Sequence, residues 1–242
     1  MRANKEKRLN RREAIYVNTD KITESFDDFK RLADNVLYLN DEGKNKIIQL
    51  TSSVSGEAKT TVTCNLGVLL GKCDRKVLVI DLDFRRAGVH QVYNVDGDVG
   101  LAEYMLGSAS LDKVIKSTEY DNVDVLPRGS VIYNSAIVLI SEKFKALINE
   151  LKDMYDVILL DTSPVLLMSD FIHISKFADA TLFLVAYGRT RKAQIREAIK
   201  ELKKADANVV GTVLTLCEGK WRYYARKRYG KYYYRRRYGN YY

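Results

Sequence analysis

Residues 52–61 read SSVSGEAKTT, after a short β-type run at 46–51 and before a helix-like stretch at 60–72. A loop that joins a strand to a helix in this way surrounds phosphate oxygens with backbone N–H groups. The helix N-terminus adds favourable partial charge. In that geometry Lys59 reaches the β- and γ-phosphates of a nucleotide and Thr60 supplies a hydroxyl to Mg²⁺. Ser55, Gly56, Glu57, Ala58, Lys59, Thr60 and Thr61 are therefore the candidate nucleotide-binding residues. The formal pattern is G-x-x-x-x-G-K-[ST]; here Ser53 takes the first glycine position and Ala58 the second. Taken alone, the segment also reads as an ordinary helix-start turn.

Two later segments supply what phosphate chemistry needs. VLVIDLD (77–83) ends an apolar run on Asp81 and Asp83, and VILLD (157–161) ends another on Asp161. A lone acid at a strand end is commonly a solvated loop residue. Acids that end two strands beside a phosphate loop share a purpose: phosphoryl transfer needs a metal on the phosphates and a carboxylate near the nucleophile. Lys59, Asp81, Asp83 and Asp161 are the candidate catalytic residues, with Thr60, Asp81 and Asp161 as candidate metal ligands.

These residues need a scaffold. The apolar runs at 46–51, 76–81, 123–126, 157–161, 180–187 and 209–216 alternate with helical stretches at 60–72, 136–153 and 191–205. Runs without in/out alternation, separated by helices, predict a mainly parallel, doubly wound α/β sheet covered on both faces. Such a sheet places ligands at the C-terminal ends of its strands. Apolar residues from Ile22 to Leu37 recur at helical spacing, predicting a further helix to about Leu39, then a turn with Asp41 and Gly43. The chain divides into a flexible basic arm (1–20), a phosphate-binding domain (21–218) and a basic tail (219–242).

Composition fits that scaffold. Of 242 residues, 46% are hydrophobic and 29% charged, which suits a globular protein with a sizeable core. The longest uncharged stretch, 129–141, is too short for a membrane span, and no apolar run follows the basic N-terminus as in a secretory signal. Three cysteines without C-x-x-C spacing argue against a disulfide framework or zinc site and for a reducing cytosol. Cys64 reads as a small buried residue.

Charge is unevenly placed. Residues 219–242 hold nine Lys/Arg, no acid and nine of the 17 tyrosines, while residues 13–218 are net acidic. A tail with so few aliphatic residues is expected to be disordered in isolation. Its tyrosines are Tyr223, Tyr224, Tyr229, Tyr232, Tyr233, Tyr234, Tyr238, Tyr241 and Tyr242. Basic residues interleaved with aromatics also suit single-stranded nucleic acid, so the tail alone leaves two readings open. Arg85 and Arg86 are either substrate-orienting residues or a surface pair.

Together these segments resemble the bacterial tyrosine kinases of capsular and exopolysaccharide synthesis, P-loop relatives of the MinD/ParA ATPases. VLVIDLDFRRAGVHQVY with GLAEYML resembles the Walker A′ region, YDVILLDTSPVLLMSD resembles Walker B, and the terminal tyrosine cluster is the third shared feature. The resemblance implies an ATP- and Mg²⁺-dependent autokinase. Lys59 and Thr60 are then the Walker A residues, Asp81 and Asp83 the Walker A′ acids, one of them the base, and Asp161 the Walker B acid. The nine tail tyrosines are the phospho-acceptors, presented to neighbouring subunits of a homo-oligomeric ring. It also implies a separate membrane activator (polysaccharide co-polymerase), a cognate tyrosine phosphatase, and a cytoplasmic chain recruited to the inner face of the membrane. Nucleic acid is not an expected partner.

The sequence departs from the family at several points. SGEAKT stands for PGEGK[ST], and Ser163 for a proline of DTPP. Asp27, Lys30 and Ala33 stand where the family's oligomerisation helix has E-x-x-R-x-x-R, which predicts a weaker ring. The segment after Gly129 lacks the family's prolines, and Thr215 stands for an asparagine near the adenine. Two alternatives stay open: a nucleotide-binding regulatory protein with little kinase activity, and a ParA-like ATPase whose tail binds nucleic acid.

Overall fold

Valine, isoleucine and leucine dominate the strand runs because both faces of the sheet are covered. In this computed structural model, which describes residues 15–17, 24–40 and 46–217, they form a seven-stranded sheet. In chain order the elements are α1 (Glu24–Leu39), β1 (Ile47–Ser52), α2 (Lys59–Lys72), β2 (Val77–Leu82), α3 (Val89–Val92), α4 (Leu101–Leu106), α5 (Leu111–Val114), β3 (Lys116–Ser117), β4 (Val123–Leu126), α6 (Ser135–Ile140), α7 (Glu142–Met154), β5 (Val157–Thr162), α8 (Asp170–Ile174), β6 (Ala180–Ala186), α9 (Lys192–Lys204) and β7 (Val209–Thr215). The strand order is β3-β4-β2-β5-β1-β6-β7. Every pairing is parallel except the short β3–β4 edge, as the mainly parallel reading expected.

Alternate strand residues feed opposite cores. Ile48, Leu50, Val77, Val79, Val157 and Leu159 pack with α1, α2 and α3. Ile47, Leu78, Ile80, Ile158 and Leu160 pack with α7 and the α4 segment. A third cluster joins Phe183 and Val185 of β6 to Ala198 and Leu202 of α9. On β2 and β5, Asp81 and Asp161 share the parity of the residues facing α2.

The single helix predicted over 136–153 is two. Ser141 breaks it, with extended backbone (φ −70°, ψ 146°). Its Oγ accepts from the Phe144 N–H at 3.1 Å, capping α7, and donates to the Val138 carbonyl at 2.7 Å. Of the stretch read as an arm, residues 15–17 sit against α2. Val17 is fully buried, the Tyr16 N–H donates to Asn65 Oδ1 at 2.7 Å, and Lys72 Nζ donates to the Val17 carbonyl at 2.9 Å. The rest of the arm, Ile22, the 41–43 turn and the tyrosine-rich tail lie outside the described residues. Among the described residues, no helix is long and apolar enough to cross a membrane.

Candidate functional site

The loop from β1 to α2 is shaped by two residues with positive φ. Gly56 has φ 83°, and Ala58, the residue before Lys59, has φ 62° and ψ 26°. An L-residue with a Cβ sits in that left-handed region at a cost of about 1 kcal/mol or more. Helix α2 then starts on Lys59, and by helix geometry its first-turn N–H groups have no partner within the helix. Ser55 and Gly56 are exposed at the loop tip, Ala58, Thr60 and Thr61 are half-buried, and Lys59 is 7% exposed.

Glu57 is turned the other way. Its side chain is 1% exposed and braces the loop from beneath. Oε2 accepts the Val54 N–H at 2.8 Å; Oε1 accepts the Ala186 N–H at 3.1 Å and the Thr190 hydroxyl. The Glu57 carbonyl accepts the Thr215 hydroxyl at 3.1 Å, and the same hydroxyl lies 3.3 Å from the Val185 carbonyl. The phosphate loop is thus pinned to the ends of β6 and β7. Turning this carboxylate inward keeps its negative charge off the phosphate-facing side. The G-E-x-K string placed Glu57 among the loop residues, but nothing in it reveals that the side chain joins two distant strands. Thr215, at the position where the family has an asparagine near the adenine, spends its hydroxyl proton on this brace.

The acids meet across the sheet. Asp81 and Asp161 are direct register partners on β2 and β5, and Leu50 of β1 is the partner of Asp161 on its other side. Thr60 Oγ1 donates to Asp161 Oδ2 at 2.6 Å, and Thr63 Oγ1 lies 3.4 Å from Oδ1. Asp81 Oδ2 accepts the Gly88 and Val89 N–H groups at 2.8 and 3.1 Å. Asp83 Oδ1 accepts the Arg85 and Arg86 N–H groups at 3.2 and 3.0 Å and the Ser163 hydroxyl at 3.0 Å. The Arg85 and Arg86 side chains are exposed, and it is their backbone that serves the site. Ser163, at the family's proline position, gives Asp83 a donor that proline lacks.

Burial governs the protonation of this cluster. Desolvation, then the charge of Asp81, pushes the Asp161 carboxyl up to about 7, while Lys59 and the Thr60 hydroxyl pull it down. Desolvation pushes Asp81 up to about 6, against the hydrogen bonds from Val89 and Gly88. The Cys64 thiol, wholly buried on α2, is also held above its ordinary range by burial and then by the fields of Asp161 and Asp81. Two buried carboxylates side by side with the Thr60 hydroxyl at their edge offer oxygen donors of the kind a divalent cation takes, and Lys59 offers positive charge to a phosphate.

A second unforeseen brace shapes the rim. At Gly100-x-x-Glu103 only the acidic half of a capping box is present: Glu103 Oε2 accepts the Gly100 N–H at 2.8 Å, and Oε1 accepts the Ser130 N–H at 3.3 Å. Gly129, at φ 77°, lies so close that a Cβ there would meet Glu103 Oε2. Arg128 reaches from this segment to the Phe84 carbonyl at 3.2 Å. The x-x-E spacing after Gly100 was the available signal.

The oligomerisation-helix positions separate. Lys30 is exposed and Asp27 half-buried, but Ala33 is 2% exposed and packs into the chain's own core. An arginine aligned with Ala33 would have to enter that core, so the alanine follows from packing within the subunit.

The family model described as an AAA domain matches residues 45–212. Tyrosine-protein kinase YwqD of Bacillus subtilis is 27% identical over 214 residues, 88% of this chain and 90% of its own length. Other curated relatives are much longer: the chain spans about a quarter of the length of two that match it at 31% and 30% identity. The kinase domain of Escherichia coli tyrosine kinase ETK superposes with a TM-score of 0.75 at 27% identity, covering 79% of this chain and 76% of that one. MinD complexed with Mg-ADP, from Pyrococcus horikoshii, superposes with a TM-score of 0.59 at 31% identity, covering 70% and 69%.

Proposed function

The chain belongs to the AAA domain family, among its bacterial tyrosine-kinase members, and from that premise we propose that it is an ATP- and Mg²⁺-dependent protein-tyrosine autokinase. The observation that carries this reading is the register pairing of Asp81 with Asp161, with the Thr60 hydroxyl 2.6 Å from Asp161 at the mouth of the phosphate loop.

Lys59 and the N–H groups of residues 55–61 hold the nucleotide phosphates. Thr60, Asp81 and Asp161 would hold Mg²⁺, which would neutralise charge on the phosphate oxygens. A tyrosine hydroxyl of residues 223–242 gives its proton to Asp81 or Asp83. Its oxygen bonds to the γ-phosphorus of ATP while the bond to the β-γ bridging oxygen breaks, and ADP leaves. Burial raises the Asp81 carboxyl toward neutrality, but a carboxylate that ligates Mg²⁺ is not free to take the proton, which favours Asp83 as the base. Asp81 and Asp83 each accept three hydrogen bonds, and Asp83 is the more exposed of the two, at 8% against 0%.

The acceptors are the nine tail tyrosines of a neighbouring subunit, and the assembly is a ring. It works in capsular or exopolysaccharide synthesis and export, in the cytoplasm, with a membrane activator that recruits it and a phosphatase that resets it. These partners rest on the resemblance. Ala58 at φ 62° favours one second reading, a nucleotide-binding regulator with low turnover. Incubation with labelled ATP and Mg²⁺, then phosphosite mapping, decides between them. Label on the 223–242 tyrosines that disappears in Lys59→Met supports the kinase; nucleotide binding with no label in the unmodified chain supports the regulator.

A further inference from the structure

Helix α9 buries one side and leaves the other strongly basic. Ala198 and Leu202 are buried, with Ile195 and Ile199 packed beside them against β6. Lys192, Arg196, Lys200 and Lys203 recur at spacings of four, four and three, which places them on one stripe. All four are exposed, and among the described residues no ion pair engages them. Lys204, paired with Glu201 at 2.5 Å, borders the stripe. Arg196, Ile199, Lys200, Lys203 and Lys204 line an open groove along it. Residues 189–204 carry seven basic and two acidic side chains.

We propose that this face of α9 docks the chain's own 219–242 segment once that segment is tyrosine-phosphorylated. Position permits it. Thr215, the last residue of β7, pairs with Ala186, the last of β6, and α9 begins six residues further on. The chain therefore leaves the described residues at Cys217, two residues past that pair, at the end of the sheet from which the connection to α9 starts. The helix is about 20 Å long at roughly 1.5 Å per residue. The segment beyond it spans up to about 80 Å when extended, so it reaches the whole stripe.

Charge makes the docking conditional. The unmodified segment carries nine cations and no acid, so the stripe repels it. Each phosphate adds about −1.5 to −2, so five modified tyrosines roughly cancel the segment's charge and all nine reverse it. Arg196 offers a planar fork to a phosphate, and the lysines offer point charges. The acidic mouth at Asp81, Asp83 and Asp161 has the opposite preference: it attracts the unmodified segment as substrate and repels it as product. The stripe is thus a place for the product, away from the site that made it.

The occasion for this docking rests on the autokinase reading; its test does not. A fluorescent 219–242 peptide, synthesised with phosphotyrosine at 232, 233, 234, 238 and 241 or with none, is titrated with the intact, nucleotide-free chain, and anisotropy is read. The phosphopeptide is expected to bind at least tenfold more tightly than the unmodified peptide, and the Arg196→Glu/Lys200→Glu chain to lose at least tenfold of that binding. Equal binding of the two peptides, or unchanged binding by the charge-reversed chain of equal Tm, overturns the proposal. So does a stripe that sediments with phosphatidylglycerol vesicles but ignores the phosphopeptide, which would make it a lipid surface. Because synthesis supplies the phosphates, loss of binding overturns the docking alone, while failure of label transfer from ATP overturns the kinase reading alone.

Discussion

The mouth at the end of β1, β2 and β5 and the outer stripe of α9 hold charge in opposite ways. At the mouth, Lys59, Glu57, Asp81, Asp83 and Asp161 are all less than one-tenth exposed, and every acid accepts named hydrogen bonds. On the α9 stripe Lys192, Arg196, Lys200 and Lys203 stand in water, and among the described residues no ion pair engages them. In a low-dielectric site each charge is worth several times what it is worth in water, and its loss leaves a partner unsatisfied. On a screened surface only the sum of charges acts, and single pairs contribute about 0–1 kcal/mol. Single substitutions at the mouth should therefore be severe, and single substitutions on the stripe nearly silent.

The largest contrast is expected for Lys59→Met. It should cut tail phosphorylation at least a hundredfold, about 2.7 kcal/mol or more of transition-state stabilisation, while thermal unfolding changes little. A correctly folded Lys59→Met chain with undiminished phosphotyrosine would break the assignment of the mouth. Next comes Glu57→Ala, which leaves the N–H groups of Val54 and Ala186 without their acceptor. It should lower stability by about 2–4 kcal/mol and loosen the phosphate loop. Chemical denaturation together with nucleotide titration measures both effects, and normal values for both would show that the brace carries no load.

Asp161→Asn sharpens the comparison through pH. The raised carboxyl means that the folded state disfavours the ionised form. The penalty is absent below about pH 4, where folded and unfolded chains are both protonated, and is complete above about pH 7. In metal-free buffer the asparagine variant should therefore be more stable than the parent at pH 8, by about 1–2 kcal/mol or roughly 3–6 °C in Tm, and equal to it near pH 4. A gain of the same size at both pH values would assign it to something other than ionisation. The same variant should lose phosphotransfer.

Ala58→Gly should act in the opposite sense. Removing the Cβ at φ 62° relieves left-handed strain in the loop and takes a methyl away from the approach of a phosphate, and ATP-analogue affinity should rise about five- to tenfold, roughly 1–1.4 kcal/mol. Calorimetric titration of both chains measures this, and equal affinities would mean the loop carries the alanine at no cost to binding. The smallest effect is expected for Lys200→Ala alone: stability within about 0.5 kcal/mol and phosphotransfer within about twofold. A large loss from that one change, seen in parallel kinase and unfolding assays, would erase the distinction between buried and exposed charge.

Much of this molecule is legible in its local sequence patterns. Uninterrupted Val/Ile/Leu runs imply strands covered on both faces, and β1, β2, β4, β5, β6 and β7 lie within a residue or two of the runs that announced them. The SGEAKTT string placed a loop and a helix start, and both are there. These features depend on neighbours in the chain, which is why local pattern suffices. The short helices α3, α4, α5 and α8 and the two-residue β3 gave no periodic signal, being too brief to hold a full repeat. Ser141 divided an apparently continuous helical stretch because a serine cap competes with helix continuation, and composition alone does not show which wins.

The amino-acid sequence by itself determined the fold class, the phosphate loop, the three acids at strand ends and the concentration of tyrosine and positive charge after residue 218. Only the tertiary structure decided that β5 lies between β2 and β1, and this brings Asp161 opposite Asp81 and under Thr60. It also decided that Glu57 turns inward to Ala186 and Thr190, and that Ser163 serves Asp83. The reason is one of range. Periodicity and motif spacing report contacts within a few residues, whereas these arrangements join positions 80 to 133 residues apart. The order in which crossover helices lay the strands side by side sets them, and no local segment records that order.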